Sequence, residues 1–83
     1  MTKTLHSKLS DMFCEHVRAL RENAGMTQRD LAKALGREHG MVGRIEIGER
    51  RVDFAEAFAV FQALGVDPVK EAAALMAKFK ELM

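Results

Sequence analysis

Apolar residues recur every three or four positions along most of the chain, which is the spacing of one face of an α-helix. The first such stripe, over residues 9–24, consists of Leu9, Phe13, Val17 and Leu20. Gly25 follows it, at the place where a helix commonly ends. The alternation of apolar and polar residues that indicates strands is not evident in the sequence. The chain is therefore predicted to be all-α.

A shorter helical pattern begins after this glycine. Thr27 stands in the position of a helix N-cap, and Asp30 is three residues further on, where a capping box has its acidic member. Leu31 and Leu35 then share one apolar stripe. Gly36 follows directly, and a glycine can take the left-handed conformation that ends a helix without a steric penalty.

A second short helix is predicted over residues 38–47, with Val42 and Ile45 turned inward and Gly48 at its end. Two short helices joined by a tight glycine turn are typical of a helix-turn-helix, whose second helix can lie in the major groove of DNA. This motif is the centre of the predicted fold.

Two further helices are predicted after the motif. Asp53 caps the fourth helix, with Glu56 as the acidic partner of a capping box. Its predicted apolar stripe, which should build the core together with the first helix, consists of Phe54, Ala57, Phe58, Phe61 and Leu64.

The fifth helix starts at Asp67 and Pro68, a cap followed by a proline at the first helical position. Val69 is predicted to close the core. The apolar residues beyond it would remain uncovered in a monomer, so they are predicted to form a two-fold dimer interface. That interface consists of Met76, Phe79, Leu82 and Met83. The alternative is that the same stripe folds back on the first helix.

The segments GMTQRDLAKALG and VGRIEIGERR resemble the phage repressor/Cro-like (XRE-type) helix-turn-helix family, and the likeness covers about residues 10–68. The residues at the family's places are Arg21, Gly25, Thr27, Gln28, Leu31, Ala32, Leu35, Gly36, Ile45, Glu46, Ile47 and Gly48. The resemblance implies a compact, lambda-repressor-like fold of five helices and a DNA-binding regulator. It also implies an ion pair between Arg21 and Glu46 and a contact from Gln28 to a DNA phosphate.

The predicted recognition helix departs from the family pattern, which usually has Ser or Thr at the cap and polar side chains facing outward. The residues predicted to contact bases are His39, Gly40, Met41, Gly43 and Arg44. Arg44 is the strongest candidate, because an arginine can bond bidentately to guanine O6 and N7. Glu38 is either the helix cap or an acceptor from cytosine N4, and Met41 has the alternative of packing against the preceding helix.

The two glycines of this helix cost about 1 kcal/mol each relative to alanine. Either they allow a close approach of the backbone to DNA, which is the favoured interpretation, or the recognition surface is degenerate. The residues predicted to contact phosphates, beside or within the motif, are Gln28, Arg29, Lys33, Arg50 and Arg51.

Composition and charge limit the number of domains and the kinds of ligand that the chain can bind. The chain has 83 residues, enough for one domain, and a net charge of only +1, which is weak for a nucleic-acid binder. Between residues 29 and 51, however, six basic residues face four acidic ones. Cys14 is the single cysteine, so no internal disulfide is possible, and a metal cluster of His6, Cys14 and His16 lacks ligand spacing. No metal, cofactor or small-molecule ligand is predicted.

No catalytic constellation and no membrane-spanning run is evident, so a non-enzymatic, cytoplasmic protein is expected. Residues 1–8 are predicted to be a flexible N-terminus, 9–68 the helix-turn-helix domain and 69–83 a C-terminal helix for dimerisation. The leading hypothesis is a sequence-specific transcriptional regulator that binds a two-fold DNA operator as a homodimer. The alternative is an antitoxin-like adaptor that uses the same fold as a scaffold for protein contacts.

Overall fold

The computed structural model describes residues 5–82 of the chain, with side chains from residue 8 onward. The helices are α1 (Leu5–Asn23), α2 (Gln28–Leu35), α3 (Gly40–Glu46), α4 (Phe54–Ala63) and α5 (Pro68–Glu81). No strand occurs among these described residues. The predicted all-α fold of five helices, with α2 and α3 as the helix-turn-helix, is confirmed.

The first helix is longer than its apolar stripe predicted. It begins at Leu5 rather than at Leu9, so residues 5–8 of the segment predicted to be flexible are helical. The rest of that segment, residues 1–4, lies outside the described part of the chain. A helix can begin before its apolar stripe, so periodicity alone placed the start of α1 too late.

Both ends of α2 follow from their residues. The Thr27 hydroxyl accepts from the Asp30 amide at 3.0 Å, and the Asp30 carboxylate accepts from the Thr27 amide at 2.9 Å. At the other end Gly36 has φ of 67°, a left-handed conformation that is costly for other residues. The chain therefore turns sharply between α2 and α3.

The third helix is shorter than predicted. It starts at Gly40, with His39 in the N-cap position and no side-chain cap. Glu38 is thus not the N-cap residue; its carboxylate bonds Arg44, and the Gly40 backbone amide also helps to lower its pKa. At the far end Gly48 has φ of 81°, and the Glu49 amide bonds back to the Arg44 carbonyl at 2.9 Å.

The core lies between α1, α2, α3 and α4, with α5 closing one side. The largest fully buried side chains are Val17, Leu31, Val42, Ile45 and Val60. Phe13 and Phe61 meet edge to face, with ring centroids 6.4 Å apart. In addition, His16 Nε2 lies 2.8 Å from a Glu71 carboxylate oxygen and ties α1 to α5.

The predicted core face of α4 is wrong in part. Phe54 is 81% exposed and Phe58 is 55% exposed, although both were assigned to the core stripe. The inner face of α4 is centred on Val60, Phe61 and Leu64 instead. Successive helical residues are about 100° apart, so Phe58 lies to the side of this face. Phe54 lies seven residues before Phe61, on nearly the same side of the helix, but it is the first residue of α4 and is exposed there. A helix that is apolar on several sides does not reveal from sequence which side is buried.

Val69 is also exposed, at 77%, so it does not close the core as predicted. Leu75 takes that place on α5, at 4% exposure. Across residues 5–82, no helix is both long enough and apolar enough to pass through a membrane.

Candidate nucleic-acid interface

The C-terminal end of α3 is fixed from inside by a largely buried ion pair. Arg21 Nε lies 2.6 Å from Glu46 Oε2 and its Nη2 lies 3.1 Å from Oε1. The two side chains are only 11% and 3% exposed. The Arg21 guanidinium also donates to the Met26 carbonyl at 2.8 Å, and its bond to Glu46 raises the pKa of Arg21. The pair connects α1, the turn before α2, and α3.

Gln28 extends this network to the surface. Its side-chain amide donates to Glu46 Oε1 at 3.0 Å, so one of its two N–H donors has a protein partner. The Gln28 amide oxygen lies over α3, 3.3 Å from the place where a Cβ on Gly43 would stand. Gly43 therefore leaves room for Gln28 between α2 and α3.

Arg44, in the last turn of α3, reaches back over Gly40 to the N-terminal end of the helix, where it forms a second acid–base pair that is exposed. Arg44 Nη2 donates to Glu38 Oε1, and the two side chains are 46% and 63% exposed. Hydrogen bonding to Arg44 lowers the pKa of the Glu38 carboxyl. The guanidinium lies over Gly40, where a Cβ would stand 3.0 Å from Nη1 and 3.6 Å from Glu38 Oε2.

Both recognition-helix glycines thus lie beneath polar side chains of the protein itself. Gly40 lies under the Glu38–Arg44 pair, and Gly43 lies under Gln28. Neither of the two interpretations made from sequence included this role. Sequence alone could not supply it, because the side chains that use the space come from outside the helix or from its far turn.

Of the residues predicted to contact bases, the structure places His39 and Arg44 on the exposed outer side of α3. Met41 is the exception, since it is 2% exposed and belongs to the core. The prediction of a base contact by Met41 is therefore wrong. Met41 shares the inward face of α3 with Val42 and Ile45, at a spacing of i, i+1 and i+4.

Arg50 is likewise not the free phosphate ligand that was predicted. Both of its terminal nitrogens bond Glu56, with Nη2 3.0 Å from Oε2, and its side chain is 28% exposed. Glu56 also accepts from Arg37 at 3.3 Å. These bonds connect the loops on both sides of α3 to the first turn of α4, and the bond to Arg50 lowers the pKa of Glu56.

The same geometry corrects the predicted capping box of α4. The Glu56 amide does donate to Asp53 Oδ1, at 2.7 Å. The Glu56 carboxylate, however, binds the two arginines rather than the Asp53 amide. The Asp-x-x-Glu pattern correctly predicted the Asp53 cap. The sequence feature that indicated the ion pairs of Glu56 is the presence of Arg37 and Arg50 before it.

Three of the predicted phosphate ligands remain open to solvent: Arg29, Lys33 and Arg51. Within residues 5–82 the structure records no ion pair for any of them. Arg29 and Lys33 lie on α2, and Arg51 lies in the loop after α3. The surface made of these cations, Gln28, His39 and the Glu38–Arg44 pair is called the α3 face below.

Comparisons with known proteins agree with this geometry. A family model described as a helix-turn-helix domain matches residues 13–75. An XRE-family like protein from Pseudomonas syringae pv. tomato str. DC3000 is 32% identical, with a TM-score of 0.83, and the match covers 88% of this chain and 89% of that one. The chain therefore belongs to the XRE-type helix-turn-helix family.

Two further solved structures are similar. The restriction-modification controller protein C.AhdI from Aeromonas hydrophila is 29% identical, with a TM-score of 0.68 over 75% of this chain and 94% of that one. The clp gene regulator ClgR from C. glutamicum shares the fold, with 24% identity and a TM-score of 0.72 over 84% and 91% of the two chains. No curated protein sequence matches the chain.

Proposed function

We propose that this chain is a sequence-specific, non-enzymatic transcriptional regulator that binds a two-fold DNA operator as a homodimer. The observation that carries the proposal is the contrast across α3. Its inner side is fixed by the Arg21–Glu46 pair, while its outer side presents Arg44 and His39 to solvent. A recognition helix needs this combination, because its position must be fixed by the protein while its exposed donors reach the base edges in the major groove. The XRE-type family assignment supports the same function.

In this proposal Arg44 contacts guanine in the major groove, with His39 beside it at the start of α3. Contacts to phosphates set the register on the duplex and supply most of the affinity. Gln28 supplies its remaining amide N–H at the N-terminus of α2, where exposed backbone amides favour an anion. Arg29, Lys33 and Arg51 flank these contacts. A DNA-binding regulator acts where the DNA is, so the proposal includes a cytoplasmic location, and it needs no cofactor.

The proposed dimer interface differs from the one expected from sequence. Met76 and Leu82 are exposed, at 55% and 44%, but Phe79 packs partly against the core and Met83 lies outside the described residues. Phe79 thus follows the alternative in which the stripe folds back on the body of the domain. A second exposed apolar surface contains Phe54, Phe58 and Val69, which line one groove, and Met76, which lines a neighbouring groove together with Phe54. These four residues are called the α4–α5 face.

The α4–α5 face has features that suit a second copy of the chain. Next to its protruding side chains is a groove of about 550 Å³, lined by Phe54, Phe58, Pro68, Val69 and Ala72 among others. A surface with both projections and a groove can pair with itself about a two-fold axis. Exposed clusters of large apolar side chains mark interaction sites. For such a dimer to occupy two successive major grooves, its two α3 faces must lie about 34 Å apart.

The dimer is tested by sedimentation of the full chain at micromolar concentration. Wild type is expected to sediment as a dimer and Phe58→Lys as a monomer, because the lysine places a charge at the centre of the apolar surface. Leu82→Lys is the matched control, since Leu82 lies at the far end of α5, and it should remain dimeric. A wild-type monomer, or a monomer only for the Leu82 variant, would contradict the proposed interface.

DNA binding is tested by selecting duplexes from a randomised pool and measuring affinity as salt is varied. The proposal expects an enriched motif with two-fold symmetry and a steep decrease of affinity with salt. No enrichment, together with binding that is flat in salt, would favour the alternative function of a protein-binding adaptor. That alternative is retained only as an outcome of this test.

A further inference from the structure

We infer that Glu38 and Arg44 act as one recognition unit, which selects a G·C base pair through both of its bases. The inference rests on the DNA binding proposed above and assigns a role to an acidic residue on a surface that faces a polyanion. A carboxylate at that place repels phosphates, so its presence requires a compensating contact. The structure provides the first such contact, the bond from Arg44 Nη2 to Glu38 Oε1.

The pair changes what Arg44 contributes to binding. A free arginine is attracted to any phosphate and adds to affinity for every sequence. When Glu38 lies beside it, the two opposite charges largely offset each other at the neighbouring phosphates, because they are close together. Salt screens what remains of their field beyond about 8 Å in physiological solution. Arg44 therefore adds little to non-specific binding, and its contribution depends on finding a base edge that suits the pair.

The donor and acceptor pattern of the pair matches one type of base pair. Arg44 keeps N–H donors that Glu38 does not use, and Glu38 keeps acceptor capacity on its carboxylate. In the major groove a G·C pair presents two guanine acceptors, N7 and O6, next to the N4 donor of cytosine. Arg44 faces the guanine while Glu38 accepts from the cytosine. An A·T pair presents the adenine N6 donor in the middle of its edge, where it opposes an arginine donor.

Gly40 is part of this unit, because it allows the guanidinium to lie against the helix. A Cβ at this position would stand 3.0 Å from Arg44 Nη1, close enough that the guanidinium must shift by a few tenths of an ångström. The shift would move Arg44 relative to Glu38 without changing any charge. Gly40→Ala therefore separates the geometry of the pair from its electrostatics.

The experiment compares wild type with Glu38→Gln on three probes. The first is the duplex enriched from the randomised pool, the second carries A·T at the base pair whose selection depends on Arg44, and the third is a random-sequence duplex. Glu38→Gln is expected to bind the random duplex more tightly, with a salt slope steeper by about one. Its preference for G·C over A·T should decrease about tenfold. Thermal unfolding of each variant checks that the fold is retained.

The affinity for a duplex with a modified cytosine tests the hydrogen bond to Glu38 separately from the change in net charge. Replacing the cytosine by N4-methylcytosine blocks its major-groove donor, so wild type should lose affinity. Glu38→Ala should not lose affinity, because it has no acceptor at this position, whereas the amide oxygen of Glu38→Gln can still accept. Gly40→Ala should reduce the preference for G·C without a steeper salt slope. The matched control is Glu49→Gln, which removes one exposed acid beyond the end of α3 and should change all affinities by one common factor.

The outcomes distinguish a failure of the proposed function from a failure of the Glu38–Arg44 recognition unit. If wild type enriches no duplex, the proposed function itself fails. If wild type binds its duplex, but Glu38→Gln behaves like Glu49→Gln and N4-methylcytosine weakens wild type and Glu38→Ala equally, the recognition unit is disproved while DNA binding stands.

Discussion

The two ends of α3 have the same chemistry in opposite surroundings. At the C-terminal end Arg21 and Glu46 are 11% and 3% exposed, and at the N-terminal end Arg44 and Glu38 are 46% and 63% exposed. The exposed pair lies over Gly40, whereas Gly43 lies under Gln28, which donates to Glu46. Exposure to solvent determines the free-energy cost of breaking each pair. Breaking a buried pair leaves a charge without a partner and costs much free energy, whereas in an exposed pair water or a ligand can replace one partner at little cost.

The buried pair therefore has a structural role in positioning α3, and the exposed pair has the proposed role in binding. Glu46 accepts from both Arg21 and Gln28, so the inner end of α3 is connected to α1 and to the start of α2. The Glu38 carboxylate, in contrast, bonds Arg44, which belongs to α3 itself. The inner pair therefore contributes to the position of the helix, and the outer pair is available for contacts with another molecule.

The largest effect is expected from Glu46→Gln. Removing the carboxylate leaves the Arg21 charge largely buried without its partner, which should lower the free energy of unfolding by about 3–5 kcal/mol. Urea unfolding of wild type and variant measures the difference. The double variant Arg21→Leu with Glu46→Leu should recover part of the loss, since it buries no charge. A single variant as stable as wild type would show that the pair is not structural.

The next effect concerns binding rather than stability. Arg44→Ala should weaken binding to the enriched duplex by about 1–3 kcal/mol and relax the preference at one base pair. Its free energy of unfolding should change by less than about 1 kcal/mol, because the pair that it breaks is exposed. Fluorescence anisotropy and thermal unfolding together check this. A variant that loses stability and keeps its sequence preference would reverse the assignment of the two ends.

The third pair, Arg50 with Glu56, lies between these extremes, since its side chains are 28% and 16% exposed. Glu56→Gln should cost about 1–2 kcal/mol of stability at neutral pH. Because the pKa of Glu56 is lowered in the folded state, its contribution is present above the ordinary glutamate pKa and is lost as pH falls through the folded value. The difference between wild type and variant should therefore shrink in acid. A difference independent of pH would contradict an ionic origin.

The smallest effect has the opposite sign for stability. Gly43→Ala removes a helix glycine, and the exposed Gln28 side chain can move the few tenths of an ångström that the new methyl requires. The variant should gain up to about 1 kcal/mol of stability while binding DNA more weakly, since Gln28 is displaced. Adding Gln28→Ala to Gly43→Ala should then cause little further loss of affinity. A full additional loss would show that Gln28 had not been moved.

The sequence predicted the helix ends and the structural ion pair better than it predicted which side chains are exposed and which charges meet. The capping residues Thr27 and Asp53 and the glycines after the helices placed the helix ends within a few residues. The Arg21–Glu46 contact followed from the family resemblance. These features depend on local backbone preferences or on a shared motif, which sequence carries directly.

The errors have a common physical origin. Met41 and Phe58 were assigned to the wrong side of their helices because an apolar residue fits either a core or an exposed face. Arg50 was assigned to DNA because its partner Glu56 comes from the next helix, and sequence does not show which charges meet across a turn. The roles of Gly40 and Gly43 depend on contacts of the same tertiary kind.

The central claim is that the outer side of α3 is the surface that meets DNA, and backbone amide chemical shifts during titration with the enriched duplex test it most directly. We predict that the largest shifts fall on residues 38–44 and on the start of α2, while the α4–α5 face is unchanged. Shifts concentrated at Phe54, Phe58 and Val69, with residues 38–44 unaffected, would contradict the account.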